Sequence, residues 1–354
     1  MTAPTTDATT VTPPAPLARL FRHSLREGRV HPLLHALQGR RREPPQGAGE
    51  GAAPGRPQPA RTAGTTERTR VSTVLRPLDR DDLLAALRGL PPLPSVVLDL
   101  IASLGQEELG AAQYAAKISR DQALVAKTLR LANSSFYGRG RQVGSVAEAI
   151  TVLGLRTVRA VVTAAGLAGS FSRHPEFDHD AFWRHSFGSA LCAQALADAL
   201  GRDDGDLAFT VGLLHDIGRL ALASLFAPAY AEVDRWRRDQ DGLGSDAERA
   251  VLGIDHAEVG GLIAQQWNFA PAIVDAIRQH HAPAPMPAQV TLAGIAHVAD
   301  AIAHALGMAG DADEAVPMLA LPVWAACRLD EAACLQLFTR TEAQFEAVCE
   351  ALQN

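Results

Sequence analysis

Gly212-Leu213-Leu214-His215-Asp216-Ile217-Gly218-Arg219 sets an adjacent imidazole and carboxylate into otherwise apolar text, and its reading decides the fold. The spacing predicts one helix over 206–223 with His215 and Asp216 near its middle. A glycine inside a helix costs about 1 kcal/mol relative to alanine. Gly212 and Gly218 beside a charged pair therefore point to a neighbouring element packed closely there. Working outward, the helical period recurs. Phe182, His185, Ser189, Cys192 and Leu196 share one face of the preceding helix, which turns His185 toward a core. Downstream, Asp255 caps a helix that opens with His256, and Ile273 and Ile277 share a face with His280 or His281. Asp300 borders the apolar row Ile295, Ala299, Ile302 and Leu306.

Upstream the text is helical too. A short helix over 81–87 stops at Leu90-Pro91-Pro92-Leu93-Pro94, and Ser95 caps the next, over 96–104. Further helices are expected over 109–119, 123–133, 146–153 and 156–171, with Asp121 and Ser145 at caps and a basic loop over 138–144. No period-2 alternation persists, so the fold class is all-α. Residues 1–78 read differently: Thr, Pro and Ala, then Gly, Pro, Gln and Arg, too little apolar surface to offset ordering entropy. They are expected to form a disordered extension, in which Leu17, Leu20, Phe21, Leu33, Leu34 and Leu37 offer amphipathic turns for docking as the lesser alternative. The expected divisions are 1–78, a helical half over 79–178, a second over 179–306, and C-terminal helices over 307–354.

Charge and composition exclude several classes. Residues 1–80 hold 13 Arg against 6 acidic residues, which leaves the remainder near −13 within a net charge of −6. An acidic body repels phosphate backbones, so nucleic acid is not expected as the partner of the folded part. A helix-turn-helix over 146–161 is the minor reading, as is binding through the Arg-rich tail. The longest mostly apolar run, 158–168, is too short to span a bilayer, and the start has no secretory pattern, so a cytoplasmic location is expected. Cys192, Cys327, Cys334 and Cys349 have no CxxC spacing and are expected as buried thiols.

Singly, a histidine on a helix face is most often a satisfied core or surface residue, and His297 and His304 are assigned there. Together, His185, His215, Asp216, His256, His280, His281 and Asp300 carry the donor types of iron, manganese or zinc sites with open positions. In a two-metal site an aspartate can bridge the ions, and Asp216 is the candidate.

The stretch at 212–219 resembles the signature of the HD superfamily of metal-dependent phosphohydrolases, with His185 as the first histidine. The text before it resembles one branch: Leu90 to Pro94, then Ala126-Lys127-Thr128-Leu129-Arg130-Leu131-Ala132-Asn133-Ser134-Ser135-Phe136-Tyr137-Gly138, then Ala149-Ile150-Thr151-Val152-Leu153-Gly154-Leu155. Over about 81–283 the chain is similar to the HDOD domain, the HD-related output domain of bacterial signalling proteins. The resemblance implies an N-terminal helical bundle packed on an HD-like bundle, acting as a regulatory module that binds a partner protein or a nucleotide second messenger without efficient catalysis. The alternative is a metal-dependent phosphohydrolase or cyclic dinucleotide phosphodiesterase using the same seven residues, with Asp216 and Arg219 in the reaction. The HD-GYP branch, which hydrolyses cyclic di-GMP, shows a fuller ligand series, and these seven residues resemble much of it. Here Ala282-Pro283-Ala284-Pro285 follows His281 in place of a GYP-type loop, and Arg219 stands where a lysine is usual. Arginine holds phosphate but is a poor proton donor. The motif around Asn133 has a structural reading as well, with Leu129, Leu131, Phe136 and Tyr137 as core and Asn133 to Ser135 ending a helix.

Overall fold

A computed structural model describes residues 15–26, 28–40, 77–102, 110–133, 142–284, 289–311 and 314–353. Among them there are helices and no strands, as an all-α chain requires. Three short helices come first, α1 (Ala15–Leu20), α2 (Arg22–Arg26) and α3 (Pro32–Arg40). The N-terminal half then holds α4 (Arg80–Arg88), α5 (Ser95–Ala102), α6 (Ala111–Ile118), α7 (Gln122–Ala132), α8 (Val146–Leu153) and α9 (Leu155–Ala168). The second half runs α10 (His179–Ala199), α11 (Gly205–Leu214), α12 (Ile217–Leu225), α13 (Ala227–Gln240), α14 (Gly244–Leu252), α15 (His256–Gln266), α16 (Pro271–Gln279) and α17 (Leu292–Ala305). Two helices, α18 (Leu321–Cys327) and α19 (Glu331–Gln353), close the chain.

Three of the four caps expected from sequence form, whereas Ser95 is itself the first residue of α5 and the Pro94 carbonyl accepts from the Val97 and Leu98 amides. Asp121 accepts from the Ala123 and Leu124 amides, Ser145 from Glu148 and Asp255 from Glu258. Each occupies a donor that the first helical turn leaves without an internal partner. Asn133 ends α7 as the structural reading has it, and its side chain also bonds both backbone groups of Val143, closing the loop between α7 and α8. Phe136, Tyr137 and most of the basic loop lie outside the described residues.

The core sits around α10, which packs on α11, α17 and α19 and is buried for most of its length. The stretch Gly205–Leu225 is long and apolar enough to cross a bilayer, but 83% of its apolar 18-residue window is buried inside the protein, where it serves as core.

The N-terminal extension needs a correction. Within it, the helices α1, α2 and α3 are docked, while 41–76 lie outside the described residues. Leu17, Phe21, Leu33, Leu34 and Leu37 are buried, the Val316 amide donates to the Leu20 carbonyl, and His31 Nε2 donates to the Pro317 carbonyl at 3.0 Å. Arg22 and Arg26 both pair with Asp241. Low overall apolar content does not preclude folding when the few apolar side chains share one face and a formed surface receives them.

Candidate functional site

The helix expected over 206–223 is broken at its centre. α11 ends at Leu214, α12 starts at Ile217, and His215 and Asp216 form the turn between. Consecutive residues of an unbroken helix point about 100° apart. The break lets both side chains face the same interior, and the Asp216 carboxylate makes no cap bond, so it is free for the site. The two glycines allow the close approach that their presence suggests. A Cβ at Gly212 would lie 2.7 Å from both the Ala190 Cα and the Ser189 carbonyl of α10. One at Gly218 would collide with the His256 carbonyl at the start of α15.

Five elements thus bring all seven expected residues together, six of them buried and His281 partly so. Asp216 Oδ1 lies 3.0 Å from His256 Nε2, 3.5 Å from His215 Nε2 and 3.9 Å from His280 Nε2. His281 Nε2 faces His256 Nε2 at 2.8 Å. Asp300 Oδ1 lies 3.0 Å from His185 Nε2 and 3.5 Å from His215 Nε2.

The outer nitrogens of three of these rings are anchored. His215 Nδ1 donates to the Gly212 carbonyl and His280 Nδ1 to the Ile277 carbonyl, both at 2.7 Å. A carbonyl only accepts, so the proton sits on Nδ1 in the neutral ring and Nε2 turns a lone pair inward. His256 Nδ1 is held by Glu248 at 2.5 Å. Anchoring the outer nitrogen on a carbonyl or carboxylate is how metal-ligating imidazoles are oriented. His280 Nε2 is buried and has no hydrogen-bond partner, a costly state for a polar atom unless something else meets it. The donors of His256, His280 and His281 lie within 4.8 Å of one another, as do those of His185, His215 and Asp216. The residues present therefore fit divalent metal.

Arg219 has a different position from a loose phosphate ligand. It donates to Asp216 Oδ2 at 2.9 Å and reaches the Tyr230 hydroxyl, which donates to Glu248, which holds His256, which meets Asp216 Oδ1. This closed ring pins one oxygen of Asp216 on a guanidinium. The expectation that Asp216 bridges two ions meets that competitor.

Protonation follows the same geometry. Burial would lower the His256 imidazole, but the Glu248 and Asp216 carboxylates raise it to about 10. Burial, with His215 and His256 beside it, pushes His280 down to about 3, and burial with His280 and His256 holds His281 well below its usual range. Burial opposes ionisation of Asp216 and Asp300, yet the cations around each hold both carboxyls well below the usual carboxylate range.

Two residues assigned to ordinary roles part company. His297 is structural as expected, donating to the His280 carbonyl and accepting the Ala320 amide. His304 instead lies at the site, its Nε2 3.2 Å from Asp300 Oδ1 and its Nδ1 2.6 Å from Glu314 Oε1. Its spacing of four from Asp300 was the available signal, since such residues share a helix face. Glu248 and Glu314 come from elements with no apparent link to the histidines, and sequence reasoning missed them.

The site opens into a cavity of about 1070 Å³ lined by His185, Asp216, Arg219, His256, His281, Asp300 and His304, with Arg184, Arg237, Arg238 and Arg249 also on its walls. Structural metal sites are closed, whereas sites that receive a ligand keep an open side.

The HDOD domain family pattern matches residues 90–283. An uncharacterised protein of Treponema pallidum (strain Nichols) is 26% identical over 194 residues, 54% of this chain and 37% of that protein, so the chain matches well under half of its relative's length. A solved structure from Shewanella amazonensis SB2B, named "Putative phosphohydrolase", is 27% identical with a TM-score of 0.58, covering 76% of this chain and 97% of that one. Another from Marinobacter aquaeolei VT8, named "Putative signal transduction protein", has a TM-score of 0.66 at 24% identity, covering 79% of this chain and 63% of that one, and shows the shared fold.

Proposed function

The chain belongs to the HDOD domain family, and from that premise we propose that it is a bacterial signalling module whose HD-type pocket binds divalent metal together with a phosphorylated ligand. The observation that carries this reading is the inward set of Nε2 atoms around Asp216 and Asp300, with outer nitrogens anchored at Gly212, Ile277 and Glu248. Holding so many ionisable groups in a buried site is costly unless each is paired or ligates a metal. His185, His215, Asp216, His256, His280, His281 and Asp300 would hold the metal, and their imidazole and carboxylate donors suit iron, manganese or zinc. A bound cation would supply Lewis-acid polarisation of a phosphoryl oxygen. The wall arginines supply fork-shaped donors that match phosphate, and a cyclic dinucleotide is one ligand of that class. The names of the Shewanella and Marinobacter proteins are in keeping with a phosphate-directed site in a signalling context, where a partner protein reads the ligand state.

A second reading, metal-dependent phosphoester hydrolysis, is favoured by the open cavity beside the donor set. Arg219 weighs against efficient turnover, because it is committed to Asp216 and Tyr230 and, with the Asp216 and Glu248 carboxylates near it, does not release a proton. Elemental analysis of protein purified without chelator, beside the Asp216→Ala variant, tests the first reading. Metal bound by the parent and lost in the variant is the expected result, and a metal-free parent that takes up none on titration overturns it. Turnover of a cyclic dinucleotide or bis(p-nitrophenyl) phosphate that disappears with the metal would move the conclusion to the second reading.

A further inference from the structure

His304 sits one turn beyond Asp300 on α17, and its Nε2 lies 3.2 Å from Asp300 Oδ1. The same oxygen is 3.0 Å from His185 Nε2 and 3.5 Å from His215 Nε2. Three imidazole nitrogens therefore surround one carboxylate oxygen, and those of His185 and His215 are 3.3 Å apart. His215 carries its proton on Nδ1 in the neutral ring, so its Nε2 aims a lone pair at a carboxylate oxygen and at a second imidazole. Such crowding of donors is relieved by a shared cation. The ligand atoms of His185, Asp300 and His304 lie within 4.8 Å of one another.

Two further observations bear on the same place. Glu314, 4% exposed, is an ion-pair partner 2.6 Å from His304 Nδ1, as Glu248 is for His256 Nδ1, although without the aligned hydrogen bond of that pair, and a carboxylate beside the outer nitrogen leaves the inner one to face the pocket. On the opposite side, Asp216 Oδ2 is taken by Arg219 at 2.9 Å and lies 3.9 Å from His185 Nε2. Asp216 thus has only Oδ1 clear of the guanidinium, and that oxygen is shared between His256 Nε2 at 3.0 Å and His215 Nε2 at 3.5 Å.

We propose that His304 supplies a further ligand on the His185 side, so that His185, His215, Asp300 and His304 can hold a cation without Asp216, with Glu314 as the positioning residue for His304. Three imidazoles and one carboxylate suit iron, manganese or zinc rather than calcium or magnesium, which prefer all-oxygen sites. This assignment rests on the metal-binding reading above. It gives the His185 end of the pocket a ligand set that does not depend on Asp216.

The test uses the full chain, stripped with chelator and titrated with Co²⁺ and Zn²⁺, with bound metal measured by elemental analysis and Co²⁺ coordination by its visible spectrum. His304→Ala is expected to lose one equivalent or to weaken it about 100-fold, and Glu314→Gln to weaken the same equivalent about tenfold, the range seen when outer-shell partners are removed. The Co²⁺ spectrum of that equivalent is expected to change in both variants and to persist in His256→Ala. Glu314→Gln keeps side-chain volume and decides the matter if His304→Ala fails to fold. Folded variants with the parent's stoichiometry, affinities and spectrum overturn the assignment of His304 alone. A parent that binds no metal overturns the reading it rests on as well.

Discussion

Glu248→Gln probes the ring that holds Asp216 and His256. Glu248 is fully buried and accepts from the His256 amide at 2.8 Å, from His256 Nδ1 at 2.5 Å and from the Tyr230 hydroxyl at 3.1 Å. Glutamine preserves shape but removes the counter-charge of the His256 imidazolium. Hydrogen bonds to charged groups contribute about 1.5–3 kcal/mol each, and part of the geometry survives, so a loss of about 2–3 kcal/mol is expected for metal-free protein at pH 6. The pH dependence identifies the cause. His256 is raised to about 10 in the folded protein from its usual 6.5. A raised imidazole contributes stability that is fully present below 6.5 and is lost as pH rises through 10. The deficit of the variant should therefore be largest at pH 6 and fall steadily toward pH 10. Urea denaturation of parent and variant in chelator at pH 6, 8 and 10 measures this difference, in which groups common to both proteins cancel. A deficit that is constant across the three, or one below about 0.5 kcal/mol at pH 6, would refute the ring as a charge-linked unit.

Three other outcomes follow from the same geometry. Gly218→Ala would drive a Cβ into the His256 carbonyl and to 2.7 Å from the Gly260 amide, so it should cost at least about 3 kcal/mol or abolish soluble expression, whereas Gly244→Ala, with nothing within 4 Å, should stay near the parent in thermal melts. Metal uptake should tighten as pH rises from 6 toward 10, because His256 and His304 are both raised to about 10 and must shed protons to ligate. Calorimetry in buffers of different ionisation enthalpy should detect proton release at pH 7, and its absence would contradict those imidazolium assignments. Phe21→Ala, which empties a side chain 1% exposed, should undock α1–α3 and speed hydrogen exchange of the Val316 amide while leaving α10 and α11 protected, and unchanged exchange at Val316 would show that the docking is immaterial.

Much of the site was legible before any coordinates. His215-Asp216 between two glycines announced close packing, and the gaps at Gly212 and Gly218 are the place where α10 and α15 come in. His185 and Asp300 could be placed on inward faces because helical periodicity is a local property. The docking of Leu17, Phe21 and Leu33 was harder to see, since their burial depends on a surface supplied by the far end of the chain, at Val316 and Pro317. His304 was passed over because one histidine on a helix has many ordinary explanations, and only Glu314 behind it and Asp300 before it make the difference.

By itself the sequence determined the helical class, the caps at Asp121, Ser145 and Asp255, the family motifs and the identity of seven converging residues. Those features are written in spacing along one chain, where the 3.6-residue period and the chemistry of capping side chains act over a few residues. Only the tertiary structure decided that the helix breaks at His215-Asp216, that Glu248 and Tyr230 close a ring through Arg219 on one oxygen of Asp216, and that His304 joins Asp300. Those are contacts between elements far apart in the chain, and their geometry follows from how the helices pack, which no local period encodes.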